Sequence, residues 1–184
     1  PRFVSAMRKD YLARLLAHVR LVGDTSVRPY ADAEWQFVQM DPRALSICQT
    51  FVQTNKCIAL LGYFSGFLDN YYLPGGFANL YPLLVLGDNA EGCPSLAHYL
   101  PPIVEVHGGN AVVLDGIHRN YIVRNSGGTI GALIAKRVKA PFPCSFHPWD
   151  EIHAVDAKPE KLEDRFFDLD ASLFRDLKFI GIDG

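Results

Sequence analysis

The stretch Ala111-Val112-Val113-Leu114-Asp115-Gly116-Ile117-His118-Arg119 limits what this chain can fold into more than any other. Its apolar half reads as a buried strand that stops at a polar turn, and Asn120 to Arg124 follows as a helical run. A strand that delivers Asp, Gly, His and Arg to a helix start builds an anion site from few parts. The first helical turn has N–H groups without intrahelical partners and the positive end of a dipole, and Arg and His add side-chain donors. Each residue also has a structural alternative: Asp115 capping the helix, Gly116 satisfying a turn, Arg119 pairing with a carboxylate. Four polar or special residues at one strand end are hard to explain by packing, which favours a functional site.

The flanks fit that reading. Ile103 to His107 and the turn Gly108-Gly109-Asn110 form a β-hairpin that runs into the strand ending at Leu114. Gly127-Gly128 closes the short helix, and Thr129 to Val138 resumes as a strand. Upstream, Val4 to Val22 carries Val4, Met7, Tyr11, Leu12, Leu15, Leu16 and Val19 at helical spacing, which predicts an amphipathic helix stopped by Gly23. Asp24 to Ala33 reads as a connector. Trp35 to Met40 alternates as a strand, and Asp41-Pro42 opens a helix carrying Leu45, Ile47, Cys48, Phe51 and Val52 to about Asn55. Cys57 to about Leu68 is read as a buried helix, followed by a loop with a turn at Pro74-Gly75-Gly76. The aromatics of this region, from Tyr63 to Tyr81, either fill the core or line a pocket for a planar ligand. Leu83 to Leu86 is expected as a strand, Gly87 to Pro94 as a polar loop and Lys139 to Pro148 as irregular. Phe166, Phe167 and Leu169 suit a last short strand, and Ala171 to Ile180 a closing helix with Leu173, Phe174 and Leu177 inward.

The 184 residues suffice for one domain with a real core, spanning 1–184. A net charge of −2 argues against a molecule built to coat nucleic acid. The apolar run Cys57 to Leu68 is too short and too interrupted to span a bilayer, and the amino end lacks a secretory apolar core, so a cytoplasmic protein without membrane attachment is expected. Cys48, Cys57, Cys93 and Cys144 show no paired spacing and are expected as reduced thiols. Cys144-x-x-His147, with His153 beyond, matches no strong zinc pattern.

The order Leu100-Pro101-Pro102-Ile103-Val104-Glu105-Val106, hairpin, Val112-Val113-Leu114-Asp115-Gly116-Ile117-His118-Arg119, helix, Gly127-Gly128-Thr129-Ile130, strand resembles the core of the ParB/sulfiredoxin superfamily. The resemblance covers about residues 100–138, with a weaker parallel at Phe37 to Asn55 and an elaboration at about 56–99. It implies an α+β fold: a small mixed sheet flanked by helices, with an N-terminal helix and an inserted aromatic-rich segment. It implies a nucleotide-phosphate site at the Asp115–Arg119 turn, taking ATP or another nucleotide with Mg²⁺. Carried over by position, Gly116 permits close backbone approach, Ile117 sits in the cofactor-binding turn, and His118 and Arg119 contact phosphate. Asp115 contacts a metal or a substrate hydroxyl.

Departures from the family narrow the chemistry. Sulfiredoxins place a nucleophilic Cys where this chain has Ile117, so sulfinic-acid repair is not expected. The chromosome-partition members carry "GERR" and a helix-turn-helix after it, for which too little chain remains here. The nearest motif form is the "DGHHR" of the free-serine kinases, which also need a catalytic carboxylate near the early strand, where this chain offers Asp41 and Glu34. The resemblance therefore implies an ATP-dependent phosphotransferase or nucleotide hydrolase acting on a small hydroxylated metabolite, with Asp115, His118 and Arg119 catalytic. The alternative is a non-catalytic nucleotide-binding switch or docking module. A nuclease or DNA-binding role ranks last.

Overall fold

The computed structural model describes residues 3–71, 81–88 and 91–178. These residues form a mixed α+β structure with three α-helices and three sheets among them. The central sheet has four strands in the order β2 (Glu34–Met40), β8 (Ile130–Lys136), β6 (Ile103–His107), β7 (Asn110–Asp115). β2 and β8 are antiparallel, β8 and β6 parallel, and β6 and β7 form the expected hairpin. A three-stranded sheet joins β1 (Phe3–Ala6), β4 (Leu83–Asp88) and β5 (Pro94–Tyr99), and β3 (Phe51–Gln53) pairs in parallel with β9 (His153–Val155). The helices are α1 (Lys9–Leu16), α2 (Thr54–Tyr71) and α3 (Ile117–Ser126).

Both faces of the central sheet are covered, so β8 and the start of β6 are buried on either side and read as continuous apolar runs rather than alternations. Ile103, Leu133 and Ala135 pack with Leu12, Leu16, Val19 and Tyr30 on one face. Val104, Val113, Ala132 and Ile134 pack with Ile117, Val52 and Trp149 on the other. The hairpin register slips between Ile103 and Val104, which face Asp115 and Val113, leaving Leu114 as an extra residue. Such a bulge bends the strand end and re-aims the Asp115–Gly116 turn beyond it.

Several expectations are corrected. The single helix over Val4–Val22 is instead β1 followed by α1, because β4 offers Phe3 to Ala6 a ladder that local periodicity does not reveal. Past Leu16 the chain turns and becomes extended, and Leu21 bridges Arg175. Gly23 stops no helix. A Cβ there would collide with Ser172, so the residue permits close contact with the Ala171–Leu173 turn. Asp41 does cap, accepting from Arg43 N, but the helix it opens is one 3₁₀ turn, Pro42–Ala44. Beyond it Ser46 exchanges backbone bonds with Ala111 and Val113, and Ile47 with His147, so tertiary ladders replace the helix. The helix expected from Cys57 starts at Thr54, and it is not buried over its first turns: Ile58 is 66% and Leu61 49% exposed. The aromatic side chains from Tyr63 to Tyr72, Phe77 and the Pro74-Gly75-Gly76 turn lie outside the described residues. Tyr81 is half exposed and tilts against Phe37. The expected loop after Leu86 is partly strand, since β4 runs to Asp88 and β5 starts at Pro94. Phe166 makes an isolated bridge to Gln49, and the described part of the expected closing helix begins with the 3₁₀ turn Ala171–Leu173, capped by Asp170, and is non-helical from Phe174 to Leu177.

That last segment is shaped by a buried ion pair. Arg175 donates through Nε and Nη2 to both oxygens of Glu105, each at 2.8 Å, and both side chains are shielded from solvent. Tyr30 OH donates to the same carboxylate at 2.5 Å, and His107 Nε2 lies 2.6 Å from it. Arg175 also donates to the carbonyls of Pro141 and Leu173. Burial alone would raise the Glu105 pKa, but His107, Arg175 and Tyr30 together hold it below the usual carboxylate range. Removing one member of such a pair strands the other in the interior. Glu105→Gln is therefore expected to destabilise the protein by about 3–5 kcal/mol, read from the urea midpoint, and Glu105→Leu with Arg175→Met to lose less than either single change. A loss below about 1 kcal/mol for Glu105→Gln would contradict this assignment.

Candidate anion-binding site

Asp115 ends β7, and Gly116 turns the chain with φ +87° and ψ +27° into α3. This left-handed conformation favours glycine, and a Cβ would also meet Pro102 at 2.8 Å. The turn therefore holds the backbone against Pro102 and opens α3, where the N–H groups of Ile117, His118 and Arg119 have no intrahelical acceptor. Gly116, at the N-cap position, has no side chain with which to cap this start. The side chain of Ile117 is core, 5% exposed and packed beneath the sheet, so of the cofactor-binding role expected for it only the backbone N–H can serve.

Arg119, expected to contact phosphate, lines the cavity with its guanidinium already engaged by the protein. Its Nη1 donates to Tyr99 OH at 2.9 Å and to the Leu100 carbonyl at 2.6 Å, and Nη2 lies 3.3 Å from Asp115 Oδ2. The guanidinium sits 5.3 Å from the Tyr99 ring centroid, and its side chain is 12% exposed. Against burial, Tyr99 and Asp115 hold it firmly charged. It clamps β5 and the Leu100 segment to the turn, and the carboxylate pairing considered from the sequence is realised.

His118 differs too. Its Nε2 accepts from Gln53 N at 3.0 Å, at the end of β3, which leaves Nδ1 as the protonated nitrogen. Burial, then the charges of Lys56 and Arg119, push its pKa down to about 4. The ring is neutral at pH 7 and supplies a hydrogen bond rather than a charge.

A cavity of about 480 Å³ opens beside the turn, lined by Asp115 to Arg119 and by residues that the sequence does not single out for a site. Lys56 comes from α2, and Lys158 and Arg165 come from the loop after β9. Phe51, Leu60, Leu162, Phe166 and Phe174 supply an apolar wall. No spacing links Lys56, Lys158 and Arg165 to the motif, and the one local signal is the Asp115–Arg119 turn that they surround. Asp115 is the one carboxylate among the described lining residues. Asp41 pairs with Arg43 and Glu34 with Arg137, and neither lines the cavity, so the second carboxylate sought near β2 is not brought to the turn.

Among the described residues no three His, Cys, Asp or Glu side chains converge as a metal cluster. Asp115 alone suits Mg²⁺ only in the manner in which one carboxylate shares the ion with substrate phosphates and water. Cys144 packs in the interior beside Cys48, while His147 pairs with Glu151 and stacks on Phe167. A second hollow of about 680 Å³ is lined by Arg43, Arg124, His147 and Trp149. Arg43 is paired with Asp41 and His147 with Glu151, while Arg124 lies against the Trp149 ring with its buried Nε without a hydrogen-bond partner. No helix among the described residues is long and apolar enough to cross a membrane. No family model matches this chain, and neither curated proteins nor solved structures give a significant match.

His118 gives this geometry a pH signature. The unfolded ring takes up a proton near pH 6.5 and the folded ring only near 4, so its contribution is fully present above about 6.5 and is lost as pH falls toward 4. Between pH 7 and 5 the wild type is expected to lose about 1 kcal/mol more than His118→Gln, a figure halved for the partial exposure of the ring. Urea midpoints of the two proteins at both pH values measure it, and equal losses would contradict the neutral, Gln53-bonded histidine.

Proposed function

We propose that this protein binds the phosphate groups of a nucleotide in the cavity beside Gly116, as a ParB/sulfiredoxin-like domain would. The observation that carries this reading is the imbalance of the lining: Lys56, Arg119, Lys158 and Arg165 face one carboxylate, Asp115, beside an uncapped helix start. Backbone N–H groups at a helix start and nearby cations are the elements that hold phosphate. The hairpin, bulge, left-handed glycine, helix and succeeding strand support the family-like placement of the turn. The apolar wall gives a base or other flat group a surface to cover. A cavity of about 480 Å³ suits a mononucleotide and does not suit a duplex.

Phosphoryl transfer to a small hydroxylated metabolite is the second reading. It is favoured by Asp115, which lies in the lining next to the neutral His118 and could orient Mg²⁺ or accept a proton. It ranks below the non-catalytic module because Asp115 already shares Arg119 and no other carboxylate lines the described cavity.

Calorimetry of the full chain with ATP, CTP and GTP, each with Mg²⁺, tests the proposal. At least one nucleotide is expected to bind with a Kd between about 1 μM and 1 mM. Asp115→Asn should retain that binding, and wild type should release no phosphate. No binding of any of the three would overturn the reading. Phosphate release that Asp115→Asn abolishes would move it to the transferase.

A further inference from the structure

The two ends of the cavity differ in charge. At the α3 end, Arg119 is balanced by Asp115, and His118 is neutral with its Nε2 committed to Gln53. What that end offers is hydrogen bonds from backbone N–H groups and a ring N–H. At the other end, Lys56 and Lys158 make no ion pair with a carboxylate among the described residues, and Arg165 donates only to carbonyls, those of Pro159 and Glu160 at 2.7 and 2.6 Å. Lys56 stands between the two ends, since its charge acts on both His118 and Lys158. The Lys158 ammonium has its pKa lowered by partial burial and by the charges of Arg165, Lys56 and Lys178.

Lysines on a free surface swing apart, but these are carried on tethered backbone. Arg165 ties its own loop at Pro159 and Glu160. Thr50 binds that loop twice, donating through Oγ1 to the Asp164 carbonyl at 2.6 Å and through its N–H to the Arg165 carbonyl at 3.1 Å. Thr50 precedes β3, and β3 leads directly into the first turn of α2, which carries Lys56. The loop with Lys158 and the helix with Lys56 are thus fixed to one short strand, which keeps both exposed lysines at the rim of the same cavity. Uncompensated charge that the fold holds in a concave site is relieved by an anion.

We infer that Lys56, Lys158 and Arg165 form a second oxyanion subsite, separate from the α3 start, so that the cavity takes two anionic groups at once. This rests on the phosphate reading for the α3 end only. Three cations without a carboxylate suit a phosphate-type dianion better than a single carboxylate. The group is either the distal phosphate of the nucleotide that sits at α3 or the phosphate of a separate small molecule bound beside it.

The test titrates wild type, Lys56→Ala, Lys158→Ala and the double variant with AMP, ATP, pyrophosphate and, in AMP-saturated protein, inorganic phosphate. Each lysine removed is expected to weaken the anion held at this end about three- to tenfold, and to weaken AMP, whose one phosphate lies at the α3 start, by a smaller factor. A loss confined to ATP assigns the subsite to the distal phosphates of one nucleotide. A loss confined to inorganic phosphate in the AMP-saturated protein assigns it to a separate molecule. If neither AMP nor ATP binds wild type but pyrophosphate does and weakens in the variants, the nucleotide reading fails and the subsite stands. If ATP, pyrophosphate and inorganic phosphate bind the double variant as they bind wild type, or none of them binds wild type, the subsite is overturned.

Discussion

The ion pair between Glu105 and Arg175 joins the middle of the central sheet to a segment 70 residues further on, and much else depends on it. β6 is buried on both faces, so a charged residue at its centre must find a full set of partners inside. Arg175, Tyr30 and His107 supply them. Holding Arg175 in that position fixes the extended backbone on either side of it. Phe174, the residue before it, lines the cavity and packs edge-on against Phe166, another lining residue. Leu21 bridges Arg175, and the Asp176 N–H donates to the Arg20 carbonyl, which draws in the chain after α1. One buried carboxylate thereby sets where the late segment runs, and with it one wall of the site.

At the site, shape and charge come from different parts of the chain. The Asp115–Arg119 turn is close to neutral, and its contribution is backbone geometry: a bulge, a left-handed glycine against Pro102, and an uncapped helix start braced by the Arg119 clamp. The positive charge comes from Lys56, Lys158 and Arg165, on elements that meet at β3 and the loop tied to it. In the proposed phosphate site the motif orients one anionic group at the α3 start, and these residues hold a second across the cavity.

The elements legible in the sequence are those whose signals are local. The hairpin Ile103–Leu114 with its Gly-Gly-Asn turn, the helix closed by Gly127 and the strand after it are dictated by turn chemistry and apolar runs, and all are present. Asp41-Pro42 gives a correct cap and an incorrect helix, because the residues after it are claimed by β7 and by His147. The amphipathic spacing of Val4 to Val22 hides β1, whose partner lies near residue 85. The lone Glu in Ile103-Val-Glu-Val-His107 gives no local sign of its burial, since Arg175 lies far along the chain. Likewise the sequence marks the turn at which the site is built, but the lysines that charge it are surface-type residues that only the tertiary structure brings together.

The proposed phosphate site requires an anion at the start of α3. Backbone amide chemical shifts during a titration with ATP, and separately with inorganic phosphate, test it most directly. The expected result is that the largest changes fall on the N–H groups of Ile117, His118 and Arg119, with Lys56 and Lys158 next. Changes that leave these five residues unmoved and gather instead around Arg43, Arg124 and Trp149 would contradict it.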